Sequence, residues 1–266
     1  MVLSAMSYYG GKSGGPGASS GTGRWVASHV PNDVYCYAEP YAGMCGVLLQ
    51  LPKHQSEIIN DLSGNVYNWW KVVRDQPEEL YELLLATPHK CRRTLQEAYD
   101  MLQEDHDDVR LAWAFSVVVT MSPMQGIMRD MMWVRTTSKG AGVTTWRHRL
   151  LSLSDRIKDV QIESYDAIQL ISRLNRPDVF IYCDPPYRHV NTLQYTEQTN
   201  HDELEERLLG FAGRVLVSGY DGDFPRLQEE WRSERHYTFT VAGAVRGSKR
   251  TECLWMNYDP PQERLF

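Results

Sequence analysis

The stretch Val179-Phe180-Ile181-Tyr182-Cys183-Asp184-Pro185-Pro186-Tyr187 decides how the chain is read. Val179 to Cys183 form one unbroken hydrophobic run, of a length suited to a strand buried on both faces. It stops at Asp184, so a buried strand delivers a rigid carboxylate. The two prolines cannot continue a sheet; each fixes its own φ near about −65° and pushes its predecessor away from the α region. The carbonyls of such a turn point in fixed directions. Two acceptors, the Asp184 carboxylate and the Pro185 carbonyl, with the Tyr187 ring beneath them, suit a planar amine such as the amino group of a nucleobase. On its own the stretch also reads as a strand end closed by a rigid turn.

Working outward, strands and helices alternate on both sides. Upstream lie a strand over Val160 to Glu163 and a helix over Asp166 to Leu174. Downstream come a polar loop from Arg188 to Asn200, a helix over His201 to Phe211, a strand over Arg214 to Ser218 and a helix over Asp223 to Glu230. Two final strands, Tyr237 to Ala242 and Cys253 to Tyr258, are joined by about ten residues, too few for a helical crossover, and are therefore expected to be antiparallel. Near the start, the glycine-rich segment from Tyr8 to Gly23 contains Tyr8 and Lys12 bracketing Tyr9, Gly10 and Gly11. It reads as a mobile terminus, or as a loop whose backbone approaches a charged ligand closely. A short helix over Arg24 to Val30 and a strand over Val34 to Ala38 follow. Then come a turn from Glu39 through Gly43 to Gly46 and an apolar helix to Leu51, an order typical of nucleotide-binding starts. The next strand, Glu57 to Asn60, finishes at Asp61, 18 positions beyond Gly43. An acid there accepts from ribose hydroxyls or caps the helix over Ser63 to Arg74. In all, seven strands are read.

From residue 77 to 155 the strands cease. Helical spacing recurs at Leu80, Leu83 and Leu84, over Leu95 to Leu102 and over Val109 to Thr120. A methionine-rich stretch follows, better suited to core filling than to a site. Arg129, Arg135, Lys139, Arg147 and Arg149 then cluster between Trp133 and Trp146 and their flanks, opposed only by Asp130. The expected organisation is a first part of the main domain over 1–76, a helical insert with a basic, aromatic loop over 77–155, and the second part over 156–266. The basic stretch is either a solvated face or a nucleic-acid contact. A second basic group, Arg246, Lys249 and Arg250, lies further on.

The chain has 266 residues, of which 42% are hydrophobic, enough for a full core. It carries a net charge of −6, which argues against a general polyanion binder. Five scattered cysteines, Cys36, Cys45, Cys91, Cys183 and Cys253, suit buried thiols rather than a disulfide set or a zinc site. No bound metal is expected. A secretion signal and a run long enough to span a membrane are both missing from the sequence, so a cytoplasmic protein is expected.

Taken together these stretches resemble the alpha-class, Dam-type DNA adenine methyltransferases, from about Tyr8 to Tyr258. The order of parts carries the likeness: aromatic-x-Gly-Gly-Lys, cofactor turn, target-recognition insert, Asp-Pro-Pro-Tyr. The resemblance implies a Rossmann-like α/β fold, a seven-stranded sheet with helices on both faces and its last strands antiparallel. It implies S-adenosylmethionine as cofactor, held with the help of Tyr8, Lys12, Glu39, Gly43, Asp61, Asp166 and Asp184. It also implies catalysis at Asp184, Pro185, Pro186 and Tyr187 on an adenine flipped out of double-stranded DNA, with Arg129, Arg135, Lys139, Arg147 and Arg149 contacting that DNA. Two departures stand out. Cys45 occupies a position where the family's turn has glycine, and the insert reads Ser122-Pro123-Met124-Gln125-Gly126 in place of the usual asparagine-rich segment. Rival readings are amino methylation of cytosine or RNA, a dinucleotide-dependent oxidoreductase, which leaves Asp-Pro-Pro-Tyr unexplained, and a non-catalytic binding relative.

Overall fold

The computed structural model describes residues 5–6, 12, 22–88, 91–103, 108–121, 147–188, 199–240 and 249–261, with backbone alone for 233–240 and 249–250. The strands are β1 (Cys36–Glu39), β2 (Ser56–Asn60), β3 (Gln161–Glu163), β4 (Val179–Cys183), β5 (Arg214–Tyr220), β6 (Arg232–Thr240) and β7 (Lys249–Met256). They form one seven-stranded sheet in the order β3-β2-β1-β4-β5-β7-β6. β3, β2, β1, β4 and β5 are mutually parallel, whereas β7 runs antiparallel to both β5 and β6. The order reverses between β1 and β4. Crevices for ligands open beyond the carboxyl ends of strands at such a point, and Glu39 and Asp184 sit there.

The helices are α1 (Thr22–Ser28), α2 (Gly64–Asp75), α3 (Pro77–Ala86), α4 (Arg92–Met101), α5 (Asp108–Met121), α6 (Leu150–Ile157), α7 (Ala167–Arg173), α8 (His201–Leu209) and α9 (Pro225–Glu230). Side-chain alternation along each strand divides the core between the two faces. On one face Tyr37, Ile59, Phe180, Tyr182, Leu216 and Leu254 pack with residues of α1 to α6. On the other, Ala38, Ile58, Ile181, Cys183, Val217 and Trp255 pack with α7, α8 and α9. All five residues of β4 are buried, as its hydrophobic run requires. The helices of the 77–155 stretch thus share a core with the sheet: Leu84, Ala98, Phe115 and Leu153 belong to the first face.

Two local expectations are corrected. The apolar segment before Leu51 is a single 3-10 turn, Leu48–Gln50, because Pro52 excludes the α conformation just before it and too few residues remain after Gly46. β6 begins at Arg232, five residues before the expected Tyr237, since pairing with β7 extends to Met256. All five cysteines are free thiols. Among the described residues no helix is long and apolar enough to cross a membrane.

A buried ion pair fastens α6 to the sheet beneath the crevice. The Arg156 guanidinium donates to both Glu57 oxygens at 2.6 and 2.9 Å and to the Leu48 carbonyl at 3.1 Å. The His54 amide also donates to Glu57, and the His54 ring stacks on Tyr37 at 5.1 Å. Burial alone would raise the Glu57 pKa, but His54 and Arg156 outweigh it and hold the group at about 2 instead of 4.5. Because the folded pKa is the lower one, this stabilisation is complete above about 4.5 and is lost as pH falls towards about 2. Arg156→Met is expected to cost about 3–5 kcal/mol by stranding the buried carboxylate. Chemical denaturation at a series of acidic pH values should show the wild-type acid slope flattened in the variant.

Candidate active site

The turn after β1 is built on backbone groups held from both sides. Gly43 has φ +46°, a conformation that glycine adopts without strain. Its amide donates to Asp61 Oδ2 at 3.0 Å and its carbonyl accepts from Trp70 Nε1 at 2.8 Å. Asp61 Oδ1 accepts from the Ser63 amide at 2.9 Å. Asp61 therefore braces the turn, while Ser63 takes the N-cap position of α2. Burial raises the Asp61 pKa, against the two amide bonds. Beside it, Asn60 stitches three strand ends together, donating to the Pro40 and Tyr165 carbonyls and accepting from the Tyr165 amide.

Glu39, at the end of β1, is 2% exposed. Its Oε1 accepts from the Tyr37 hydroxyl at 2.8 Å and the Leu48 amide at 2.7 Å. Burial pushes its pKa up to about 8 despite both donors, so near neutral pH it is largely uncharged. Gly46 lets the backbone of Lys12 lie directly against this turn. A Cβ there would lie 1.7 Å from the Lys12 carbonyl oxygen, so only glycine lets the backbone of Lys12 pass.

That passage brings Lys12 to the Asp-Pro-Pro-Tyr turn. Its ammonium lies 3.0 Å from Asp184 Oδ1 and 2.6 Å from Glu252 Oε1, and it donates to the Tyr187 hydroxyl. The Tyr187 hydroxyl in turn stands 2.6 Å from Glu252 Oε1 and 3.1 Å from Asp184 Oδ1. Ser218, on the neighbouring strand β5, donates to Asp184 Oδ1 at 2.7 Å and lies 3.0 Å from the Tyr182 hydroxyl. Burial disfavours the Lys12 cation, yet the two carboxylates more than compensate and its pKa is raised. Burial first and Asp184 second push the Tyr187 phenol well above its ordinary value, so it stays protonated. The Tyr187 ring meets Tyr220 edge to face at 4.4 Å.

The Pro186 carbonyl accepts from His201 Nε2 at 2.7 Å, and His201 Nδ1 is 2.9 Å from the Thr199 carbonyl. No donor among the described residues reaches the Pro185 carbonyl. Asp166 lies at the exposed N-cap of α7, where its Oδ1 accepts from the Gln169 amide. The adjoining Tyr165 is 39% exposed, with the Arg173 guanidinium 4.2 Å from its ring centre.

The structure thus brings together Lys12, Asp184 and Tyr187, with Glu39, Gly43 and Asp61 along the same sheet edge. Tyr8, Arg129, Arg135 and Lys139 lie outside the described residues. Arg147 and Arg149 belong to a 3-10 turn before α6, and the Arg147 guanidinium donates to the Leu84 carbonyl of α3. Sequence reading missed Glu252, Ser218, Asn60 and His201. None of the four carries a local signature in the sequence. Among the described residues, no group of three metal-ligating side chains forms.

A mostly parallel sheet that gathers a lysine and several carboxylates at its switch point defines an α/β domain that binds a polar ligand at the strand ends. Residues 22–214 match the D12 class N6 adenine-specific DNA methyltransferase family, and the chain belongs to that family. It is also similar to the Type II methyltransferase M1.LlaDCHI of Lactococcus lactis subsp. cremoris, at 24% identity over 177 residues. That match covers 59% of this chain and 58% of the relative, so the chain spans little more than half the relative's length. The solved structure of the Haemophilus influenzae protein HI0767 superposes on 89% of this chain and 85% of its own, with 8% identity and a TM-score of 0.34, a similarity too low to bear on fold or function.

Cys45, where a glycine was expected, has φ +51° and is fully buried. A side chain in that conformation costs about 1–2 kcal/mol. Cys45→Gly and Cys45→Ala both lose the thiol, but only alanine keeps the strain. The alanine variant should be the less stable by about 1 kcal/mol, the reverse of the order in a helix, as measured by denaturant melts.

Proposed function

We propose that the chain transfers a methyl group from S-adenosylmethionine to the exocyclic amino group of adenine in DNA. The observation that carries this reading is the Asp184 carboxylate, gripped through Oδ1 at the sheet's switch point and followed by the Pro185 carbonyl, which no donor among the described residues reaches. Family membership supports the substrate class. The residues present fit the cofactor. Carboxylates of Asp61, Asp166 and Asp184 stand at the ends of β2, β3 and β4, a set of acceptors suited to ribose hydroxyls, an adenine amine and a nearby sulfonium charge. Glu39, Gly43, Lys12 and Tyr8 complete the proposed cofactor site. S-adenosylmethionine, when bound, supplies an electrophilic methyl group on a cationic sulfur.

The amino lone pair of adenine is delocalised into its ring and is a poor nucleophile. Asp184 and the Pro185 carbonyl accept hydrogen bonds from the two amine N–H groups, which turns the lone pair out of conjugation. As the N–C bond forms and the donor's S–C bond would break to leave a thioether, the positive charge growing on nitrogen meets acceptors already in place and one amine proton is lost. Pro186 locks the turn, and Tyr187 lies beside the base. The target atom is inaccessible within a duplex, so the base is flipped out at a cost of a few kcal/mol. Residues 1–76 and 156–266 form the catalytic domain of this Rossmann-like methyltransferase fold. Residues 77–155 recognise the target, with Arg129, Arg135, Lys139 and Arg149 contacting the phosphates, while Arg147 is engaged with the Leu84 carbonyl. A Type II role, as in the name of the Lactococcus relative, would place the protein beside a restriction enzyme.

Incubation with labelled S-adenosylmethionine and double-stranded DNA, then nucleoside analysis, should yield N6-methyladenine. Methylcytosine, or label in RNA alone, would overturn the assignment. Asp184→Ala should lower turnover by about 10²–10³-fold or more, the scale of losing one preorganised partner of developing charge. DNA titrations at several salt concentrations test the basic stretch. Each lost phosphate contact among Arg129, Arg135, Lys139 and Arg149 should reduce the salt slope by about 0.9, whereas Arg147→Ala should chiefly lower stability if its bond to Leu84 is its main task.

A further inference from the structure

We propose that Glu252 is a positioning residue for this methyl transfer, holding Lys12 and the Tyr187 hydroxyl so that Asp184 presents Oδ2 to the incoming amine. The inference rests on the reading above. Among the described residues, every group that reaches the Asp184 carboxylate does so at Oδ1: Ser218 at 2.7 Å, Lys12 at 3.0 Å and Tyr187 at 3.1 Å. None reaches Oδ2. An aspartate tethered at one oxygen is fixed in orientation, and its other oxygen remains a strong acceptor.

Two of the three tethers are governed by Glu252. Its Oε1 lies 2.6 Å from Lys12 Nζ and 2.6 Å from the Tyr187 hydroxyl. The phenol has a single proton, and the shorter contact directs it to Glu252 rather than to Asp184. Lys12 then spends its three protons on Asp184, Glu252 and the phenol oxygen. Without the Glu252 charge, the phenol proton would turn to Asp184 Oδ1 and lower the basicity of the whole carboxylate. The charge balance points the same way. Lys12 with Asp184 and Glu252 sums to one net negative charge, so the cation developing on the amine meets an attractive field; Lys12 with Asp184 alone sums to zero. Glu252 is itself 3% exposed and is carried by β7, whose pairing partner at that point is Tyr220 of β5. Tyr220 buttresses the Tyr187 ring, so the strand that supplies the carboxylate is fixed to the strand that supports the phenol.

The groups around Lys12 are Asp184 and Tyr187 after β4, Tyr182 within β4, Ser218 and Tyr220 on β5, Glu252 on β7 and, on β1, Glu39, whose field reaches Asp184. Only Asp184 and Glu252 oppose the effect of burial on the Lys12 ammonium. Replacing one of them by a neutral amide must therefore move deprotonation of Lys12 to lower pH.

The test compares wild type, Glu252→Gln, Glu252→Asp and Ser218→Ala in steady-state methylation of double-stranded DNA across pH. Glu252→Gln should lower kcat by about 10²-fold, the effect of an approximately 1 Å misplacement near the reacting atoms, and should shift the alkaline limb of the kcat profile to lower pH. The KM for S-adenosylmethionine should change far less than kcat. Glu252→Asp, which keeps the charge, should recover part of kcat and leave the alkaline limb in place; Ser218→Ala, which removes an uncharged tether, should lower kcat without moving that limb. A Glu252→Gln profile superimposable on wild type, with or without a fall in kcat, overturns the inference and makes Glu252 a structural residue. If the glutamine variant does not fold, wild-type kcat in Glu252→Asp or a shifted alkaline limb in Ser218→Ala overturns it instead. Wild-type protein that methylates no adenine at all would instead refute the parent reading, an outcome separate from any of these.

Discussion

Three charges, two buried and one partly buried, share one small space: the ammonium of Lys12 lies between the carboxylates of Asp184 and Glu252. Each of these groups would be costly to bury alone, so each depends on the others and on the strands that bring them together. Asp184 is fixed by β4, a strand buried at every residue in the sheet's centre, and Glu252 by β7. Lys12 comes from a segment with no regular structure of its own at that point, and its position depends on the absence of a Cβ at Gly46. A missing methyl group in one turn is thus a condition for the charge arrangement in another.

The second support lies below the crevice. Tyr37, stacked on His54, donates to Glu39, and Glu39 accepts the Leu48 amide, while Arg156 holds Glu57 and the Leu48 carbonyl. Both ends of the Leu48 peptide pair are therefore satisfied by charged or polar side chains from separate elements. The turn after β1 is closed by its own bond from the Cys45 amide to the Ala42 carbonyl at 2.7 Å and is braced from outside by these side chains, consistent with the tolerance of a left-handed cysteine two residues after Gly43.

Much of the architecture was legible because the hydrophobic runs of the central strands β1, β4 and β5 are short and unbroken. Val179 to Cys183 and Arg214 to Ser218 were placed within two residues of their observed limits, and the antiparallel pairing of the last two strands followed from the length of their connection. The Leu48 segment misled because its apolar composition suits an α-helix, and only the nearness of Pro52 and the turn before it limits it to one 3-10 turn. In the site, Asp184, Tyr187, Lys12 and Asp61 carry local signatures. Glu252 and Ser218 do not, since their contacts with residues far away in the chain depend on strand order, which spacing cannot encode. Asp61 was read as a ribose acceptor or a helix cap, and its observed bonds to Gly43 and Ser63 give it a third task, bracing.

The sequence separations within the charge cluster bear on how the protein is made. Lys12 and Tyr187 are 175 positions apart, and Tyr187 and Glu252 a further 65. Contacts so distant form only after the loops between them have closed, at an entropic cost that local helices never meet. The sheet centre, β1 with β2 and β4, can assemble before β7 is present, but the cluster cannot. A nascent or partly refolded chain can therefore have a near-complete core and still lack a formed site. For the same reason, recovery of native helix content and recovery of the site would follow different clocks.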